Sequence, residues 1–110
     1  MKVRSEICAA LVAGILCSLP ALADCQLPPA PSKIPDGASA SEQEMVAAMQ
    51  TLKAYDGDVN VYLKCLEFEE KQSHMSAADR ESKHNAAVAS LEKVAAKFNE
   101  QVRVFKSKKG

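Results

Sequence analysis

Asp56, Asp58, Asn60 and Glu67 fall at positions 1, 3, 5 and 12 of a calcium-loop template, with apolar Leu63 at position 8. Four oxygen-bearing side chains at that spacing could enclose a hard divalent cation. Three features oppose it. The template needs glycine at its sharp turn, and here that residue is Val61, a β-branched side chain that resists positive φ. Lys64 brings a positive charge to the would-be cation site. Leu52, Val59, Leu63 and Leu66 also keep helical phase across the segment. The segment is therefore predicted to be helix, with Gly57 a weak point costing about 1 kcal/mol relative to alanine. No metal site is favoured, and a calcium-binding role for these four residues stands as the alternative.

Met45, Met49, His74, Met75 and His84 supply thioether and imidazole groups, which copper accepts. Met45 and Met49, however, share an apolar helical stripe where methionine is ordinary core filling. His74 and Met75 fall in a connection remote from them, and His84 is expected as a hydrogen-bonded histidine at a helix interface. Glu67, Glu69 and Glu70 form a carboxylate cluster that reads as a solvated helix end. The chain contains no Ser-His-Asp order, nucleophile elbow, glycine-rich phosphate loop or HExxH motif. The expectation is a protein that is not an enzyme and carries no cofactor.

The cysteines point to an exported chain. Lys2 and Arg4 precede an uncharged apolar run at 7–19, Pro20 breaks it, and Ala21-Leu22-Ala23 suits a signal peptidase. The run is too short to span a bilayer, which needs roughly 20 residues. A signal peptide is expected over 1–23, giving a periplasmic or secreted protein with no membrane span after cleavage. Cys8 and Cys17 would leave with the leader, so Cys25 and Cys65 are expected to form one disulfide. No C-x-x-C spacing supports a redox role. What remains is one small domain, short enough to need a staple or a partner.

These residues need elements to hold them. Pro28, Pro29, Pro31 and Pro35 forbid helix over 24–40 and favour an extended strap, with a turn at Pro35-Asp36-Gly37 where Gly37 can supply positive φ. Ser41 and Glu44 form a capping box for a first helix over about 41–71. Its stripe is Met45, Met49, Leu52, Val59, Leu63 and Leu66, flanked by Tyr55, Tyr62 and Cys65. Ser76 and Asp79 open a second helix over about 77–106, with His84, Val88, Leu91, Ala95, Phe98, Val102 and Phe105 at steps of four and three. The short connection makes the pair an antiparallel, coiled-coil-like hairpin over 41–110. Ser41 to Cys65 is roughly 36 Å of helix and Cys25 to Ser41 about 50 Å of polyproline chain, so the strap can return along the first helix. That path places Leu27 and Ile34 on the tyrosine stripe.

Charge is unevenly divided. The segment 24–70 carries nine acidic residues against Lys33, Lys53 and Lys64, and the segment 71–110 carries nine bases against four acids. Mutual attraction across the hairpin is the simpler reading. The other is a basic face of Arg80, Lys83, Lys93, Lys97 and Arg103 offered to a partner, including anionic lipid or glycan. Nucleic acid is not expected as a partner for an exported chain with few aromatics and no net positive charge.

Cys25, Ile34-Pro35-Asp36-Gly37, Met45, Tyr55, Tyr62-Leu63-Lys64-Cys65-Leu66 and Phe98-Asn99-Glu100-Gln101-Val102 together resemble small exported proteins of proteobacteria. The resemblance covers most of the chain after the leader. It implies a periplasmic helical protein, and its motifs are tied to no activity and transfer no site. The expected function is a non-enzymatic interaction protein that binds a protein or envelope component through helical faces, with a homodimer among the arrangements that would cover its apolar seam. A small calcium- or copper-binding protein is the alternative.

Overall fold

The computed structural model describes residues 25–109. Helix α1 spans Glu42–Lys71 and helix α2 spans Ala77–Lys109; they pack together as a hairpin, and the described residues include no strand. The predicted leader at 1–23 lies outside the described residues. α2 continues past its predicted end near 106.

Local chemistry sets the ends of α1. Glu44 N–H donates to Ser41 Oγ at 3.1 Å, and Ser41 N–H donates to Glu44 Oε1 at 3.3 Å, the reciprocal capping box. Glu42 and Glu44 also sit in the first turn, where negative charge suits the helix dipole. The helix then runs unbroken through Gly57. At its C-terminus Ser73 N–H donates to Glu70 O and His74 N–H to Glu69 O, the paired bonds of a Schellman ending. Ser73 takes the left-handed position of that motif, with φ 64°. α2 starts on Ser76, whose Oγ accepts from Asp79 N–H at 3.0 Å.

The strap is the third element of the core. Cys25 is joined to Cys65 across 40 positions of sequence, and residues 26–36 run extended from there towards the start of α1. Its burial follows a period of three: Cys25, Pro28, Pro31 and Ile34 are half-buried, and Gly37 and Ala40 are buried. Polyproline chain has three residues per turn, so Cys25, Pro28, Pro31 and Ile34 share one face, and the turn that follows keeps Gly37 and Ala40 inward. Leu27 and Ile34 are seven apart and cannot share it. Leu27 is accordingly 56% exposed; it borders a shallow depression with Asp58, Val61 and Tyr62 but, unlike Ile34, is not packed into the core around the tyrosines.

Ile34 packs against both core clusters, one built on Tyr55, Val59, Tyr62, Leu66, Ala87 and Val94, the other on Ala40, Met45 and Phe98. The strap therefore lies in the groove between the helices rather than on α1 alone. Ile34, Pro35 and Asp36 adjoin Ala96, Lys97, Glu100 and Gln101 of α2. Beyond them, Asp36 closes the turn by accepting from Ser39 and Ala40 N–H at its carbonyl and from Ala38 N–H at Oδ1. Gly37 N–H donates to Gln101 Oε1 at 2.7 Å, and Lys108 Nζ donates to Ala40 O at 2.8 Å.

Candidate interaction surface

The strap decides which side of the seam is sealed. Tyr55 and Tyr62, predicted as a flank of α1, are buried at its centre, and the Tyr55 hydroxyl bonds Ser90 Oγ at 2.9 Å. The other margin of the stripe moves outward: Met49 is 39% exposed, and Leu52 and Leu63 are half-buried. On α2 the same rotation buries Ala87 and Val94 and leaves His84, Val88, Leu91, Ala95 and Val102 half-buried. A third element draws the buried centre towards itself and leaves the opposite flank uncovered.

That open flank is a groove. Met49, Leu52, Leu91, Ala95 and Phe98 form its floor, with Lys53, Asp56, Glu92 and Asn99 around it. It continues to the free end of the hairpin over Met45, Val46, Val102 and Phe105, with Glu42 and Lys106 at the edge.

The calcium-template residues do not converge. Asp56, Asn60 and Glu67 lie along one side of a continuous helix, but Asp56 and Glu67 are roughly 16 Å apart along its axis. Asp58 is about 200° around the helix from Asp56. Asn60 Nδ2 donates to Asp56 O at 2.9 Å, an ordinary bond within the helix. The thioether and imidazole groups are scattered as well: Met45 and Met49 stand near the free end, and His74 and Met75 in the turn, roughly 40 Å of helix away. Among the described residues no three His, Cys, Asp or Glu side chains are gathered closely enough to hold a metal ion.

The carboxylate cluster divides in a way its spacing does not suggest. Glu67 is exposed, Glu70 pairs with Arg80 Nε at 2.5 Å, and Glu69 is buried with 4% exposure. The left-handed Ser73 turns His74 back over α1, where its Nδ1 meets Glu69 Oε1 at 2.8 Å. Glu69 is thus part of the turn rather than a solvated face. His84, predicted to be hydrogen-bonded, is half-buried and bonds no protein group among the described residues.

The five basic residues are not brought onto one face. Arg80 lies at the hairpin interface on Glu70, and Arg103 pairs with Glu100 within α2. Lys83, Lys93 and Lys97 are exposed, within roughly 80° of one another around α2, and make no ion pair among the described residues. The acidic and basic halves do lie side by side, and Arg80–Glu70 joins α1 to α2. No helix among them is long and apolar enough to cross a membrane.

Comparison with protein-family models, curated proteins and solved structures gives no match to this chain. Sequence reasoning missed two features of the surface. One is the strap's three-residue period, present in the spacing of Cys25, Pro28, Pro31, Ile34, Gly37 and Ala40. The other is the choice of flank, which has no local signal.

Proposed function

We propose that this chain is a non-enzymatic interaction protein of the periplasm that binds a protein or envelope partner through its helical faces, with the open flank as the working surface. The observation that carries this reading is the asymmetry of burial. The strap and disulfide seal Tyr55 and Tyr62, while Met49 and its neighbours across the groove stay accessible. A hairpin held only by its own seam would gain from covering both sides; a groove floored by apolar side chains and edged by charge has the anatomy of a binding surface. Lys83, Lys93 and Lys97 form a separate polar flank that can attract an anionic component without sharing the groove.

Affinity capture from envelope extract tests the reading, comparing the native protein with Met49→Glu and with a Lys83→Glu/Lys93→Glu/Lys97→Glu triple variant. Met49→Glu is expected to abolish retention of whatever the native protein holds, because it places a carboxylate in the groove floor. Loss with the triple variant alone would move the working surface to the basic flank. Retention unchanged by either set would overturn the proposal.

A further inference from the structure

We infer that the bridge between Cys25 and Cys65 is a redox gate: its reduction releases the arm of the strap, 25–33, and uncovers the tyrosine side of the hairpin. The open flank plays no part in this, so the inference goes beyond the function proposed above and does not rest on it.

The strap is held unequally along its length. From Ile34 onward it is well anchored. Ile34 packs against both core clusters, Gly37 N–H donates to Gln101 Oε1, and Lys108 Nζ donates to Ala38 O and Ala40 O. Residues 26–33, in contrast, make no hydrogen bond or ion pair among the described residues. Six of these eight residues are exposed, and the other two, Pro28 and Pro31, are only half-buried. The prolines lower the entropy cost of staying extended, but they supply no bond that fixes the arm in place. What fixes it is the bridge at its far end.

A thiolate can reach that bridge. Both cysteines are half-buried, and with Leu27, Pro28, Asp58 and Tyr62 they line the surface depression at the start of the strap. Thiol exchange needs such access, which a bridge sealed in a core lacks. The bridge is here the substrate of a dithiol reductant, so it needs no C-x-x-C spacing of its own. One thiolate of the reductant attacks the sulfur of either cysteine; the S–S bond breaks, and the other cysteine leaves as a thiolate and takes up a proton. The reductant's second thiolate then attacks the mixed disulfide, frees the remaining cysteine and closes the reductant's own disulfide. Two electrons pass to the protein, and two thiols result.

Apolar surface lies beneath the arm. Cys25 packs against the cluster of Tyr55, Val59, Tyr62 and Leu66, and Tyr62 is 7% exposed at the edge of the depression. Without the arm Tyr62 loses its outer cover, whereas Tyr55 keeps its bond to Ser90 inside the hairpin. The capping box and the turn between the helices are remote from the bridge chemistry and stay intact. Opening is therefore local, with the helical hairpin as its rigid base. The open flank is present in both states, and the tyrosine side only in the reduced one.

Nuclear magnetic resonance relaxation of the disulfide-bonded protein, purified after export, tests the gate before and after dithiothreitol and again after re-oxidation. Backbone order parameters at Gln26, Ala30 and Lys33 should fall from about 0.85 to below about 0.6 on reduction and recover on re-oxidation. Those of α1 and α2 should not move. Tyr55 and Tyr62 are the only tyrosines and the chain has no tryptophan, so acrylamide quenching of its fluorescence reports the same opening. The quenching constant should roughly double on reduction. A Cys25→Ser/Cys65→Ser variant should match the reduced protein in both measurements and ignore dithiothreitol. An arm that stays ordered in the reduced protein, or a bridge that dithiothreitol cuts only in denaturant, would overturn the inference. So would helices that loosen together with the arm, which would make the bridge a staple of the whole fold.

Discussion

At Gly37 a side chain has nowhere to go. A Cβ there would stand 2.1 Å from Gln101 O and 2.9 Å from Phe105 N, both backbone atoms of α2 that cannot swing aside. The turn could have drawn on this residue for a positive φ, but no described glycine has one; its value is close approach of two backbones. Gly57 is the opposite case, with nothing within 4 Å of an added Cβ. Ser73 is the residue that does hold a left-handed conformation, at a position where glycine is preferred. Thermal and urea melts of three variants should separate these roles. Gly37→Ala should destabilise by about 2 kcal/mol or more, because relieving the clash lifts the strap turn. Gly57→Ala should stabilise by up to about 1 kcal/mol. Ser73→Gly should stabilise by about 1 kcal/mol by removing the Cβ penalty. A neutral Gly37→Ala would contradict the strap's seating on α2. None of these three roles was legible beforehand except that of Gly57, since the others depend on which backbone lies opposite or on how a turn is closed.

The elements were largely readable, and the reasons are local. The Ser41–Glu44 capping box, the heptad-like stripes and the short turn each act within a few residues, and each appears where its spacing put it. The pairing of Cys25 with Cys65 followed from arithmetic and is present. The strap's placement was not readable to the same depth. Its prolines excluded helix, but residues as unlike as Cys25, Pro31 and Gly37 form its inward face, so hydrophobic contrast does not mark it. Breaking the bridge tests the element as a unit. Cys65→Ser should cost roughly 3–4 kcal/mol by the chain-entropy account of a loop this long, and should expose 26–40 to protease. An unchanged digestion pattern would mean that Ile34 and the Gly37–Gln101 contact hold the strap without the disulfide.

For the whole molecule, the decisive property is that three elements share one seam unequally. Two helices with equivalent stripes would bury them symmetrically. The strap takes one groove, rotates the buried centre onto Tyr55, Tyr62, Ala87 and Val94, and leaves Met49 and Leu91 on the other. That division could not be seen from periodicity, because a stripe has two margins and nothing local favours either. The open margin is where the chain is proposed to bind. Affinity capture from envelope extract by the native protein beside Met49→Glu tests this most directly. The native protein is expected to retain a component that Met49→Glu, with its helicity intact, does not. Equal retention by the two would contradict the account.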